Sequence, residues 1–186
     1  MDVWVIVIIV ILAVVGVAAW AGLRTRRADG SRRLKERFGD EYDRTVEHAS
    51  DTSEAERELE RRVERHERLQ ITELSQQDRD RYAETWLDVQ RRFVDDPEAT
   101  LGDADRLITG AMRDRGYPTE HFDQKVEDLS VEHADTLDAY REAHEIADRH
   151  ERQGVSTDEL RRAMQHYRAI FEAIVETRTT KGSGQS

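Results

Sequence analysis

The chain has no cysteine among its 186 residues. Disulfide bonds, cysteine-ligated metal ions and a cysteine nucleophile are therefore excluded, and the composition is compatible with the cytoplasm. Phosphate-binding and hydrolase motifs are missing as well, since the sequence contains no Walker loop, no GxGxxG and no GxSxG. We therefore predict no catalytic residue and expect a protein that is not an enzyme.

Seven histidines require a test for a metal site. His144 and Glu145 begin like the zinc motif HExxH, but the next histidine is His150, about 240° further round a helix. His133 and His144 stand eleven residues apart. That spacing corresponds to roughly 16 Å along a helix, which is too far for both rings to bind one ion. We predict no metal site and no cofactor.

Two interpretations are open for His133 and His144, which share a predicted helical face with Leu137 and Tyr140. They form a pH-sensitive interface, or they are partly buried histidines whose hydrogen-bonding groups have partners. We favour the second interpretation, because a pH-sensitive role would require a perturbed pKa. His166 is interpreted as a boundary residue of the last helix. Helix N-termini and exposed helix faces account for the acidic pairs, none of which fits an EF-hand loop: Asp95-Asp96, Asp103/Asp105 and Glu127-Asp128.

The amino-terminal part holds an uncharged run of 21 apolar or small residues, Val3 to Leu23. A helix of this length measures roughly 32 Å and matches the hydrocarbon core of a bilayer. Trp4 and Trp20 lie near its ends, where indole rings favour the water–lipid interface. The run predicts a single-pass transmembrane helix.

The orientation of this span follows from the charges that flank it. Seven basic residues lie between Arg24 and Arg37, against two acidic ones, whereas only Met1 and Asp2 precede the run. The positive-inside rule places the amino terminus outside and the remainder in the cytoplasm. We interpret the basic stretch as the signal that sets the orientation of the span. Binding of these residues to anionic lipid is the alternative. An exported domain behind a cleaved or uncleaved signal segment is the alternative location, since Ala19-Trp20-Ala21 resembles a cleavage site.

The body of the chain is strongly acidic. From residue 38 onward it holds 22 basic and 37 acidic residues, a net charge of −15. Such a body repels nucleic acid and the anionic inner leaflet, so neither is an expected partner for it.

Hydrophobic spacing predicts an all-α chain without strands. The expected organisation is a transmembrane anchor at 1–23, a basic juxtamembrane linker at 24–33, a charged helical segment at 34–72, a bundle of about six helices at 73–176 and a disordered tail at 177–186.

Local signals set most of the expected helix boundaries in the bundle. Ser75 is a predicted N-cap, and the residues from Pro97 to Arg115 form a helix that ends at Gly116. Thr119 is expected to cap a short helix, and Val131 to Gln153 to form the next one. A capping box of Ser156 and Glu159 begins the last helix. The predicted inward faces contain Tyr82, Trp86, Val89, Phe93, Leu101, Leu107, Ile108, Ala111, Met112, Leu160, Ala163, Met164, Tyr167, Ile170, Phe171 and Ile174.

The charged segment contains a break at Gly39 and a predicted capping box of Ser53 and Glu56. The helix that follows has a narrow apolar seam of Ala55, Leu59 and Val63. Such a seam packs on one partner, so we expect either a hairpin with the preceding segment or a coiled-coil dimer contact.

Four short strings carry a resemblance to known sequences: residues 36–43, 92–97, 115–118 and 166–168. Over about residues 34–171 the chain resembles a group of single-span proteins of high-GC bacteria, described only as hypothetical or secreted. The resemblance implies a hydrophobic amino-terminal segment and carries over no functional residue. The description "secreted" implies export, whereas the charges favour a cytoplasmic domain.

We therefore expect a membrane-anchored, acidic helical interaction or scaffold module, which binds a protein partner or itself. The first alternative is an accessory sensor or stress protein that binds a small ligand between helices. The second is an enzyme whose site is not recognisable in the sequence.

Overall fold

The computed structural model describes residues 29–176. The predicted anchor at 1–23 and the predicted tail at 177–186 lie outside the described residues. Between residues 29 and 176 the chain forms eight α-helices, one 3₁₀ helix and no strand, which confirms the all-α prediction for this range. None of these helices is long and apolar enough to cross a bilayer.

The chain divides into two compact units, and the division falls between Leu59 and Glu60. In the first unit the described helices are α1, α2 and the beginning of α3; in the second they are the rest of α3, α4 to α8 and the 3₁₀ helix. Their bounds are α1 (described over residues 29–38), α2 (Asp40–His48), α3 (Thr52–Arg68), α4 (Gln76–Asp95), α5 (Pro97–Arg115), α6 (Phe122–Leu129), the 3₁₀ helix (Ala134–Thr136), α7 (Leu137–Gln153) and α8 (Thr157–Glu176).

The first unit contains a helical hairpin of α2 and α3. The Tyr42 hydroxyl donates to Glu56 Oε1 over 2.9 Å and joins the two helices. Ala55 and Leu59 are fully buried, so these two seam residues are not available to a second chain. The hairpin interpretation is confirmed, and the coiled-coil contact through these residues is wrong.

The capping box predicted for Ser53 and Glu56 is also wrong. Asp51 Oδ1 accepts from the backbone N–H of Glu54 over 2.9 Å, and Glu54 Oε2 accepts from the backbone N–H of Ser50 over 3.0 Å. The side-chain contacts at the beginning of α3 therefore involve Asp51 and Glu54, two residues earlier than predicted, and the carboxylate of Glu56 accepts from Tyr42.

The second unit is a bundle in which α8 packs against α7 and α5, and α5 packs against α4. The Trp86 and Phe171 rings stack between α4 and α8. The core contains the predicted faces of α4, α5 and α8, together with α7 side chains; its members include Tyr82, Trp86, Val89, Leu101, Ile108, Met112, Leu137, Tyr140, Ile146, Leu160, Tyr167 and Phe171.

Helix boundaries that rest on neighbouring residues are confirmed. Ser75 Oγ accepts from the Asp78 backbone N–H, and Pro97 begins α5. Gly116 ends α5 with φ of 100°, a left-handed conformation that favours glycine. Ser156 and Glu159 form the reciprocal box before α8.

Two other predicted boundaries are wrong. Helix α6 begins at Phe122 after His121, so Thr119 does not cap it. Helix α7 begins at Leu137, six residues later than predicted. The backbone N–H of His133 donates to Leu129 O over 2.8 Å, and this turn directs Val131 and His133 inward before α7 can begin.

Candidate functional site

Five side chains of the second unit meet where the end of α3, the loop after α5 and the turn after α6 converge; His66, Arg115, Tyr117, Glu132 and His133 are called the polar cluster below. Glu132 lies at its centre. His66 Nε2 is 3.1 Å from Glu132 Oε1, and the Tyr117 hydroxyl donates to Glu132 Oε2 over 3.1 Å. Arg115 Nη2 lies 3.9 Å from the same Oε2 atom.

Arg115 is fully buried, although it carries a permanent charge. Its Nη1 group donates to the carbonyl oxygen of Ile174 over 3.0 Å, which ties the end of α5 to the end of α8. Sequence reasoning missed this residue. A signal was present, because Ile108, Met112 and Arg115 stand at helical spacing on one face of α5.

The electrostatics of the polar cluster fix its protonation near neutral pH. The hydrogen bond from His66, followed by the charge of His66 and the hydrogen bond from Tyr117, lowers the pKa of Glu132 to about 2 in spite of burial. Burial, and then the charge of Arg115, lowers the pKa of His133 to about 4. Glu132 is therefore ionised and His133 neutral, so the carboxylate serves as an acceptor that binds surrounding donors. A general base works best with a pKa near the working pH, which Glu132 does not have.

A second long-range tie joins α3 to α6. Arg65 Nε donates to Asp128 Oδ1 over 2.9 Å, and Arg65 Nη2 donates to Glu127 Oε2 over 2.6 Å. The Asp128 side chain is fully buried and also accepts from Gln124 Nε2. The assignment of this acidic pair to an exposed face is therefore wrong for Asp128.

Two members of the other acidic pairs, Asp96 and Asp103, have defined partners. Asp96 caps α5 by accepting from the backbone N–H of Ala99 over 3.1 Å, as predicted for an acidic residue at a helix N-terminus. Asp103 accepts from Arg92 Nη1 over 2.6 Å and joins α5 to α4.

The predicted grouping of His133 and His144 on one helical face is wrong, because His133 precedes the 3₁₀ helix and α7. His144 stacks on Phe122 with ring centroids 3.6 Å apart. His166 Nε2 lies 3.1 Å from Glu142 Oε2, at the contact between α7 and α8. Over residues 29–176 no three acidic or histidine side chains are placed to hold a metal ion.

The phenols of Tyr140 and Tyr167 are buried in the bundle beside α5, where Tyr167 interacts with Asp105 and Tyr140 with Thr109. Tyr140 belongs to α7 and Tyr167 to α8. Burial, followed by the charge of Asp105, raises the pKa of both phenols, so both stay protonated. Buried polar atoms are normally satisfied by protein or by bound water, and these contacts connect α5 to α7 and α8.

A shallow hollow of about 360 Å³ lies in the first unit, lined by Ser31, Arg32, Lys35, Glu36 and Tyr42. Four of these residues belong to α1, and three are charged. The hollow differs from the closed apolar cavity between helices that a ligand-binding bundle would contain.

The solvent-facing side of α4 carries an apolar stripe. Leu87 is 58% exposed and Val94 is 82% exposed, and they are the exposed large hydrophobic residues of the described range. Ala83, Leu87, Gln90 and Val94 follow one another at spacings of 4, 3 and 4, which places them on one helical face. We call these four residues the α4 outer face.

Charged residues border this face on the side away from the core. Glu84 and Arg91 stand seven residues apart along that edge and are both exposed. The Arg91 guanidinium has a weak contact with Asp88, at 3.5 Å. Sequence reasoning missed the outer face because the stronger Tyr82, Trp86 and Val89 pattern accounted for α4 as a core helix.

Comparison of the chain with protein-family models, with curated proteins and with solved structures finds no match.

Proposed function

We propose that the protein is a membrane-anchored helical interaction module that presents the α4 outer face to a protein partner. The exposure of Leu87 and Val94 on one face carries this proposal. Burial of an exposed leucine or valine side chain contributes a free energy of about 1.5–3 kcal/mol. A partner that covers this position would gain that contribution to binding. Contiguous apolar patches on a polar surface mark interaction sites, and within the described residues the α4 outer face is where large hydrophobic side chains are exposed.

The polar cluster supports the module by fixing the bundle that carries α4. Arg115 and Glu132 connect α5 to the end of α8 and to the turn after α6. A buried polar network in which some groups lack hydrogen bonds destabilises the fold. A fully hydrogen-bonded network holds the surrounding helices in a rigid arrangement. The α4 helix is thus held through α5 and α8.

The acidic body favours a protein as the partner. Its net charge of −15 disfavours nucleic acid and the anionic lipid surface. The apolar run from Val3 to Leu23 and the basic residues that follow it support an anchor with the amino terminus outside and the body in the cytoplasm.

Fractionation of lysed cells tests the anchor. The full chain should sediment with membranes and dissolve only with detergent, at an intact mass that shows no cleavage. Single cysteines placed at Asp2 and at Ser183 then report orientation, because the native chain has none. An impermeant maleimide on intact cells should label Asp2→Cys and spare Ser183→Cys. A full-length chain in the supernatant, or the opposite labelling, would contradict the proposed location.

A photo-crosslinking amino acid at Val94 tests the interaction. Glu145 on α7 is the matched control, since its side chain is 74% exposed and it lies outside α4. Irradiation of cells should give discrete adducts from position 94 and only background from position 145. Equal yields at both positions would show that the α4 outer face is not a binding surface.

A further inference from the structure

We infer that the hollow of the first unit binds the headgroup of a zwitterionic aminophospholipid, with the phosphate at Arg32 and Lys35 and the ammonium group at Glu36. The recognition rests on the residues that line the hollow. The lipid source of the headgroup rests on the proposed membrane anchor.

The hollow lies where α1 gives way to α2. Gly39 separates the two helices with φ of 50°, a backbone conformation that residues with a Cβ rarely adopt. Tyr42 lines the hollow from α2, and its hydroxyl donates to Glu56 over 2.9 Å, which fixes the position of the ring. The volume of about 360 Å³ lies at the lower end of the ~300–1,000 Å³ range of small-ligand sites.

Charges of both signs surround this hollow. Arg32 Nε lies 3.4 Å from Glu36 Oε1, and Lys35 Nζ lies 3.0 Å from Oδ1 of Asp43, the residue after Tyr42. The four charged side chains are all more than half exposed, and exposed ion pairs contribute little to stability. A ligand that carries both a phosphate and an ammonium group can therefore replace these pairs at little cost.

Charge complementarity selects such a ligand over a purely anionic one. A phosphate that accepts from Arg32 and Lys35 draws both cations away from Glu36 and Asp43. An ammonium group on the same ligand then takes the place of the cation at Glu36, which a glycerol headgroup cannot do. The described residues of the first unit, 29–59, include six basic and ten acidic residues, and this net charge of −4 disfavours a headgroup with net negative charge. Phosphatidylethanolamine has no net charge and offers both groups.

The position of the hollow in the chain favours a membrane lipid as the source. Ser31, the first residue of the lining, follows the end of the apolar run at Leu23 by eight residues. So short a connection keeps the hollow near the headgroups of a membrane that holds the run. Lipids of that membrane meet the hollow at a high effective concentration, so a shallow site with few contacts can be occupied.

Native mass spectrometry of the detergent-extracted full chain tests the inference. The chain is mixed with equimolar short-chain phosphatidylethanolamine and phosphatidylglycerol, whose masses identify each adduct. The ethanolamine lipid should be retained several-fold more than the glycerol lipid. It should also be retained more than phosphatidylcholine, since a quaternary ammonium group has no N–H to donate to Glu36. Free phosphoethanolamine tests the source and should be retained several-fold less than the lipid.

Two variants with the same loss of charge separate the hollow from the basic stretch as a whole. Arg32→Ala/Lys35→Ala removes both cations of the hollow and should lower the yield of the ethanolamine-lipid adduct several-fold. Arg33→Ala/Arg37→Ala removes two cations of α1 that do not line the hollow and should retain the adduct. Glu36→Gln should abolish the preference for the ethanolamine lipid over the glycerol lipid. All five positions are exposed, so these substitutions spare the core.

Three results overturn the inference. Equal retention of the ethanolamine and glycerol lipids would show that the ammonium group is not recognised. Equal losses from the two double-alanine variants would show a general attraction to the basic stretch. Retention of free phosphoethanolamine as strong as that of the lipid would assign the hollow to a soluble ester.

These results are separate from the tests of the proposed function. A chain that binds neither lipid selectively can still sediment with membranes and give adducts from the photo-crosslinker at Val94. A full-length chain in the supernatant would remove the lipid source whatever the mass spectra show.

Discussion

Trp86 on α4 and Phe171 on α8 stack with ring centroids 4.6 Å apart and an interplanar angle of 12°. Both side chains are at least 95% buried, so this contact holds the core-facing side of the helix that also carries the α4 outer face. The orientation of the α4 outer face depends on it.

Replacement of Trp86 by alanine should therefore destabilise the bundle strongly. The large cavity and the lost ring contact correspond to about 3–5 kcal/mol. Urea unfolding of the detergent-solubilised full chain, followed by circular dichroism, measures the change. Leu87→Ala is the matched control one position away, and it should alter the free energy of unfolding by less than about 0.5 kcal/mol. Similar losses for both variants would contradict the assignment of the two faces.

Removal of Arg65 should destabilise the second unit because it leaves the buried Asp128 carboxylate without its cation. Loss of one partner of a buried pair costs about 3–5 kcal/mol, and the partial exposure of Arg65 reduces this to roughly 2 kcal/mol. Arg161→Ala removes a comparable but exposed pair with Asp158 and should change stability by less than about 0.5 kcal/mol. Equal effects of Arg65→Ala and Arg161→Ala in urea unfolding would refute the buried tie.

Stability should decrease as the pH falls from about 6.5 to about 4. The folded chain holds the pKa of His133 at about 4 because the ring is buried, whereas the unfolded chain titrates near the ordinary value of 6.5. Below pH 6.5 the unfolded state therefore binds a proton that the folded state does not, which lowers the free energy of unfolding by roughly 3 kcal/mol across this window. Glu132 acts at lower pH, since its pKa of about 2 means that its contribution is lost only between about 4.5 and 2.

The fluorescence of Trp86 follows unfolding at each pH in a Trp4→Phe/Trp20→Phe background, in which Trp86 is the remaining tryptophan. His133→Gln should flatten the dependence between pH 6.5 and 4. A wild-type slope retained in His133→Gln would show that another group is responsible.

Two glycines of the α5 region should respond to alanine in opposite directions. A Cβ at Gly116 would lie 2.6 Å from the carbonyl oxygen of Gln70, and φ of 100° is unfavourable for any L side chain. We expect Gly116→Ala to destabilise by about 2 kcal/mol. Gly102 lies inside α5, and its Cβ would only touch the Arg106 side chain at 3.6 Å, so Gly102→Ala should stabilise by about 0.5–1 kcal/mol. Thermal unfolding of the two variants checks the signs, and a shift in the same direction for both would contradict this account.

The sequence predicted those features whose causes are local. Ser75, Pro97 and Gly116 act on backbone groups within a few residues, so the ends of α4 and α5 were accessible from sequence. The core faces of α4, α5 and α8 followed from helical spacing. The beginning of α7 was not accessible, because burial of Val131 and His133 overrides the helical continuation that their neighbours favour.

The candidate sites were harder to predict because they depend on distant parts of the chain. Arg65 meets Asp128 across 63 positions, and Arg115 meets Ile174 across 59. No pattern in a single sequence pairs these groups. The α4 outer face was recognisable in principle, since Ala83, Leu87 and Val94 have helical spacing, but only the folded structure shows that nothing within the described chain covers Leu87 and Val94.

The central claim is that the anchor and the α4 outer face act together, and one comparison tests both. The Val94 photo-crosslinking chain is prepared with the native apolar run and with an Ile9→Lys/Val14→Lys run, because two lysines in its centre prevent insertion. We predict discrete adducts in the membrane pellet for the native run, and a soluble chain with background yield for the lysine variant. Equal adduct yields from both chains, with both in the supernatant, would contradict the account.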